Sequence, residues 1–152
     1  MKKLLQSCMI LAAGFLFLAC PSSRPPTALP REAAHVAEQF VEAYYHLAHL
    51  DDALRLASGL AKAKIEEEKS LGGGTASKES TSGRQIHYRY REASQDPQEQ
   101  NRYSVLLDLT IEIKPLPPME RLVRLTILQE PTSENKGAAL AWKVANFVET
   151  IP

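Results

Sequence analysis

Two periodicities divide the chain. Ala33, Val36, Ala37, Phe40, Val41, Tyr44 and Leu47 recur at three- and four-residue spacings, with Glu32, Glu38 and Glu42 off the densest part of the stripe. This pattern predicts an amphipathic helix from about Arg31 to His46, opened by Pro30. Asp51 or Asp52 then offers an N-cap for a second helix, whose apolar side is Ala53, Leu56, Ala57, Leu60, Ala61 and Ile65. A short carboxylate suits that position because it accepts from free backbone N–H groups. Glu66, Glu67 and Glu68 crowd the far end, where the helix dipole disfavours acids, so fraying is expected after Ile65.

Residues 72–83 hold four of the seven glycines and read as a loop. They lack the Gly-x-x-x-x-Gly-Lys-Ser/Thr spacing of a phosphate loop. After Gly83 the period falls to two. Ile86, Tyr88 and Tyr90 alternate with His87, Arg89 and Arg91. Tyr103, Val105, Leu107, Leu109, Ile111 and Ile113 mark the clearest strand, with one buried face. Val123, Leu125 and Ile127 mark a third strand, and Leu140, Trp142 and Val144 a fourth, whose pattern slips before Phe147 in the manner of a bulge. Connections at 94–101, 114–118 and 131–137 are short and turn-rich, which predicts an antiparallel meander. Two helices followed by four one-faced strands make an α+β domain, with the first helix covering the sheet.

The first thirty residues read differently. Lys2 and Lys3 precede a largely apolar run from Leu4 to Leu18, followed by Ala19, Cys20 and Pro21. A basic head, a short apolar stretch and a small residue before a break form a secretory signal. The alternative is an uncleaved anchor. As a helix, Leu4 to Cys20 would rise only about 25 Å, short of the roughly 30 Å hydrocarbon core, which favours the signal. Four of the ten prolines fall between Pro21 and Pro30, among Ser22, Ser23 and Thr27. That composition predicts an extended tether.

Phe17-Leu18-Ala19-Cys20 resembles the lipobox of bacterial lipoproteins, with Ala19 and Cys20 carrying the match. The resemblance implies cleavage before Cys20, acylation of its sulfur with a palmitate-type chain, and attachment to a lipid bilayer. Pro rather than Asp follows Cys20, which by the same resemblance points to the outer membrane. The expected division is then 1–19 signal peptide, 20–30 lipidated Cys and tether, and 31–152 globular domain. Both cysteines, Cys8 and Cys20, lie in the export segment, so the processed chain can form no internal disulfide. Its 133 residues are enough for a core without one. Sixteen basic side chains against eighteen acidic ones leave it at net −2. That balance excludes an ordinary nucleic-acid binder.

The Val36-x-x-x-Phe40-x-x-x-Tyr44 stripe, the Asp51-Asp52 helix start and the closing Trp142-Lys143-Val144-x-x-Phe147 strand together resemble the nuclear transport factor 2-like, or cystatin-like, superfamily. The resemblance implies a cone-like fold, a curved sheet wrapped round an N-terminal helix. Members bind small ligands in the cone, catalyse isomerisation or dehydration, or assemble envelope machinery. Tyr44, Tyr45 and Trp142 are then candidate pocket-lining residues, or aromatics that fill the core.

His46, His49, Asp51 and Asp52 cluster near a helix end and include metal-ligating types, but a polar terminus explains them as well, and no metal site is assigned. Arg84, His87, Arg89 and Arg91 form a basic strand suited to acidic headgroups or an acidic partner, balanced by Glu92, Asp108 and Glu112. No nucleophile elbow, His-Glu-x-x-His run or paired catalytic carboxylates occur, no catalytic residue is assigned, and nothing calls for a cofactor. The sequence therefore predicts a membrane-anchored envelope lipoprotein on the periplasmic side, acting as a non-enzymatic binding or scaffolding module. Its partner would be an envelope protein or a small apolar ligand. The alternatives are a cone-pocket enzyme and an assembly subunit of a secretion or transport apparatus.

Overall fold

The computed structural model describes residues 29–46, 49–72, 83–131 and 139–152. The signal, Cys20 and most of the tether lie outside the described residues. Three helices come first: α1 (Arg31–Tyr45), α2 (Leu50–Leu56) and α3 (Gly59–Ser70). Four strands follow: β1 (Arg84–Gln95), β2 (Arg102–Ile113), β3 (Met119–Pro131) and β4 (Leu140–Thr150). The strands form one antiparallel sheet in the order β1-β2-β3-β4, the expected meander. Among the described residues no helix is long and apolar enough to cross a membrane.

α1 begins where the sequence predicts, with the Ala34 amide donating to Pro30 O at 2.9 Å and Glu32 in the first turn, where the dipole favours an acid. Ala33, Ala37, Phe40 and Val41 are fully buried. The alanines let the helix backbone approach the sheet, and Phe40 and Val41 fill the space beyond them. Opposite lie Val105, Leu107, Leu109, Val123, Leu125, Ile127 and Val144, each at most 1% exposed. They are the alternate residues of β2, β3 and β4, as a one-faced sheet requires.

The predicted second helix is two helices. α2 starts at Leu50, with His49 in the capping position: its carbonyl accepts from the Asp52 and Ala53 amides. Asp51 and Asp52 sit in the first turn rather than at the cap. The break comes at Ala57 and Ser58, which are extended. Ala57 bridges Val144 of β4, and the Ser58 amide donates to Val144 O at 2.9 Å. Gly59 then takes φ +47°, a left-handed conformation that favours glycine, and a Cβ there would sit 3.3 Å from Ala145 O. A strand contact thus overrides a helical apolar spacing.

α3 does not fray after Ile65 but runs to Ser70. Its acidic end is tied down from outside: the Tyr44 hydroxyl donates to Glu68 at 2.7 Å, and Lys69 in the last turn binds Asp51. Lys69 also supplies the cation that the dipole favours there.

Two bulges bend the sheet. The β1–β2 register skips Arg91, and the β3–β4 register skips Ala145. The second is the slip expected before Phe147. Bulges increase local twist and curvature, so the sheet curves over α1.

Candidate functional site

The inner face of the sheet, where a cone pocket would open, is occupied by aromatic rings. Phe40 stacks on Tyr44 with centroids 5.8 Å apart, and Phe147 packs against both, at 5.4 and 4.7 Å. Tyr45 meets Tyr44 edge-on at 5.1 Å. Burial pushes the Tyr44 hydroxyl well above the ordinary tyrosine range, and the Glu68 carboxylate that accepts its hydrogen bond pushes it further. Burial also raises Tyr45, with the Glu149 carboxylate adding to the effect. Both hydroxyls therefore stay protonated at neutral pH.

The three sequence-picked aromatics do not come together. Tyr44 and Tyr45 share the cluster at the end of α1, whereas Trp142 lies near the start of β4, edge-on to Tyr103 at 5.6 Å. None of the three lines either of the two grooves described next.

The first groove, of about 430 Å³, lies on the outer face of the sheet and is lined by His87, Arg89, Arg91, Asp108, Glu120 and Arg121 among others. Strand register places Arg89 opposite Asp108. One carboxylate serves two guanidiniums: Arg89 reaches Asp108 Oδ2 at 2.7 Å, and Arg91 Nε reaches Oδ1 at 3.0 Å. Burial alone would raise the Asp108 carboxyl. The hydrogen bond from Arg89 and the charge of Arg91 outweigh it and hold the carboxyl below the usual aspartate range. Arg84 is not on this face. Its parity turns it inward, where it donates to Tyr45 O at 2.5 Å.

A depressed folded-state pKa stabilises the fold above the unfolded value, about 3.9, and that contribution disappears as pH falls through the folded value. Asp108→Asn is therefore expected to cost about 1 kcal/mol at pH 7, a surface-pair magnitude. The difference from wild type should shrink steadily below about pH 4. Urea melts of both proteins from pH 7 to pH 2.5 test this; a gap that widens toward low pH contradicts it.

The second groove, of about 530 Å³, runs between α1 and α2. His35, Glu38, Glu42 and His46 contribute from α1, and Asp52 and Arg55 from α2, with His49 at the turn between them. Ala43 and Leu56 add apolar lining. His46 lies 3.6 Å from Glu42, and His49 lies 3.6 Å from Asp52. The two imidazoles meet edge-on at 5.9 Å. Each is thus paired with its own carboxylate, and Asp51 turns away to Lys69. Among the described residues no group of three His, Cys, Asp or Glu side chains is placed to hold a metal ion.

No protein-family model and no curated protein matches the sequence. Solved structures do match in fold. A TrwG component of a type IV secretion system from Bartonella birtlesii superposes with TM-score 0.51 at 8% identity, over 78% of this chain and 88% of that one. The soluble domain of TrwG type IV secretion machinery from Bartonella grahamii gives 0.50 at 7%, over 76% and 87%. The VirB8 protein of Agrobacterium tumefaciens gives 0.49 at 9%, over 80% and 96%. At these identities the two TrwG structures establish a shared fold, the helix-covered curved sheet.

The sequence reading names the Arg89 and Arg91 face and its balancing Asp108. Of the α1–α2 groove it names His46, His49 and Asp52 but misses His35, Glu38, Glu42 and Arg55. The signal was present within α1, since His35, Glu38, Glu42 and His46 fall at steps of three, four and four and so share one helix face.

Proposed function

We propose that the chain is an exported, membrane-tethered assembly subunit of an envelope secretion apparatus, with its domain on the periplasmic side. The observation that carries this reading is the fold shared with the TrwG components, which spans most of both chains. The export signal at Lys2–Ala19 and the tether after Cys20 support the placement. An acylated Cys20 holds the protein on the bilayer, since each buried CH₂ contributes about 0.8 kcal/mol and two or more chains give persistent attachment. Aromatic filling of the inner face, with Phe40 of α1 packed on Phe147 of β4, favours assembly over a cone-pocket enzyme.

The test is intact mass of the detergent-extracted protein, native and then denatured. The expected denatured mass lacks residues 1–19 and carries acyl chains, and Cys20→Ala abolishes both changes. An unmodified full-length wild-type mass overturns the lipid anchor. The expected native mass includes further polypeptide chains. A native excess of a few hundred daltons, lost on denaturation, instead supports a ligand-binding pocket and overturns the assembly reading.

A further inference from the structure

The α1–α2 groove combines three features. Its volume, about 530 Å³, falls in the range of sites that bind side chains or small ligands. Its open surface is mostly carbon, supplied by Ala43, Leu56 and the stems of the polar side chains around them. Its fixed charges are one-sided: among the described lining residues Glu38, Glu42 and Asp52 stand against Arg55, a net of −2 before the imidazoles are counted. Arg55 is already engaged with Asp52 at 3.3 Å. Glu38 is held in place by the Tyr90 hydroxyl of β1 at 3.2 Å, and Glu42 keeps nearly half its side-chain surface open. Three of the four histidines of the chain, His35, His46 and His49, stand among these carboxylates.

We propose that this groove docks a basic, amphipathic polypeptide segment of an envelope partner. The segment's apolar side chains enter the groove, and its Lys or Arg side chains meet Glu42 and Asp52. An apolar groove with charged residues at one sign is the usual receptor for such a segment. The identity of the partner as an envelope component rests on the assembly reading above; the charge and shape of the groove do not.

Fluorescence anisotropy of the full chain in detergent tests the groove directly, with a capped, labelled Lys/Leu amphipathic peptide as probe and its Glu/Leu counterpart as control. The Lys/Leu peptide is expected to bind, and the Glu/Leu peptide not to. Glu42→Gln with Asp52→Asn should weaken binding at least tenfold, as loss of charge-assisted contacts does. Arg55→Gln, which removes the opposing cation among the described lining residues, should tighten it several-fold. Glu66→Gln with Glu67→Gln on α3 makes the same charge change outside the groove and should leave binding unchanged.

A loss in the α3 variant equal to that in the groove variant overturns the proposal, because general charge attraction then suffices. So does weakened or unchanged binding in Arg55→Gln. A chain that self-associates through the groove, losing its dimer in the Glu42/Asp52 variant while ignoring the peptide, also overturns it in favour of a second copy. The peptide outcomes leave the native mass unchanged, and a dimer lost in the Glu42/Asp52 variant shows there as two chain masses, so failure of the groove and failure of the assembly reading are separately visible.

Discussion

Phe40→Ala is expected to lower folding stability by about 3–5 kcal/mol, the range for removing a fully buried aromatic ring. The ring has no exposed surface and sits between Tyr44 and Phe147, at 5.8 and 5.4 Å. Its loss removes the apolar transfer energy of the ring and leaves a cavity bounded by two other rings on separate elements, α1 and β4. Neither can move in without disturbing a second contact: Tyr44 is held by Glu68, and Phe147 receives Lys64 at its carbonyl and over its ring. The site therefore relaxes little, which places the cost in the upper part of the range. Denaturant melts of the full chain followed by circular dichroism check this. Leu71→Ala, at a position 81% exposed, serves as the control and should stay within about 0.5 kcal/mol of wild type. Comparable melts for the two variants would mean that the aromatic cluster does not hold α1 to the sheet.

Leu107→Ala is expected to cost about 2–5 kcal/mol. Leu107 is 1% exposed and lies in β2 between Tyr90 of β1 and Val123 of β3. Truncation removes packing from three strands at once, at the middle of the sheet where no edge can collapse inward. Near-neutral melts would show that β2 is not the central strand of the core.

Much of this architecture was readable in the residues, and the reasons differ by element. β2 was legible because alternation of Tyr103, Val105, Leu107, Leu109 and Ile111 is a local property of a sheet with one wet face. The bulge at Ala145 was legible for the same reason, since an extra residue shifts the alternation. The division between α2 and α3 was not, because Leu56, Ala57, Leu60 and Ala61 keep a helical spacing straight through it. What breaks the helix is Val144, far along the chain, which takes Ala57 as a bridge partner. The Ser58-Gly59 pair was the one local hint.

The candidate sites divide in the same way. Parity within β1 separates His87 and Arg89 from Arg84, so the true composition of the outer face was available from the sequence. The separation of Trp142 from Tyr44 and Tyr45 was not, since it depends on which end of β4 meets the start of β2. The α1–α2 groove needed the packing of α2 beside α1, which brings Asp52 and Arg55 alongside a stripe belonging to α1.

The β4 edge has a consequence for how copies of this protein can meet. Along its middle, Val144 O takes the Ser58 amide and Phe147 O takes Lys64, so Ala57–Ser58 and the Lys64 side chain already occupy the place of a neighbouring strand. Among the described residues the opposite margin of the sheet, β1, carries no such cover. A sheet with one capped margin cannot be extended head to tail through backbone pairing, because every added copy would need two free margins. Pairing of β1 with β1 is self-complementary and ends at two copies. The extended pair Ala57–Ser58 thus acts as a stop against fibre growth, built from the same two residues that divide α2 from α3.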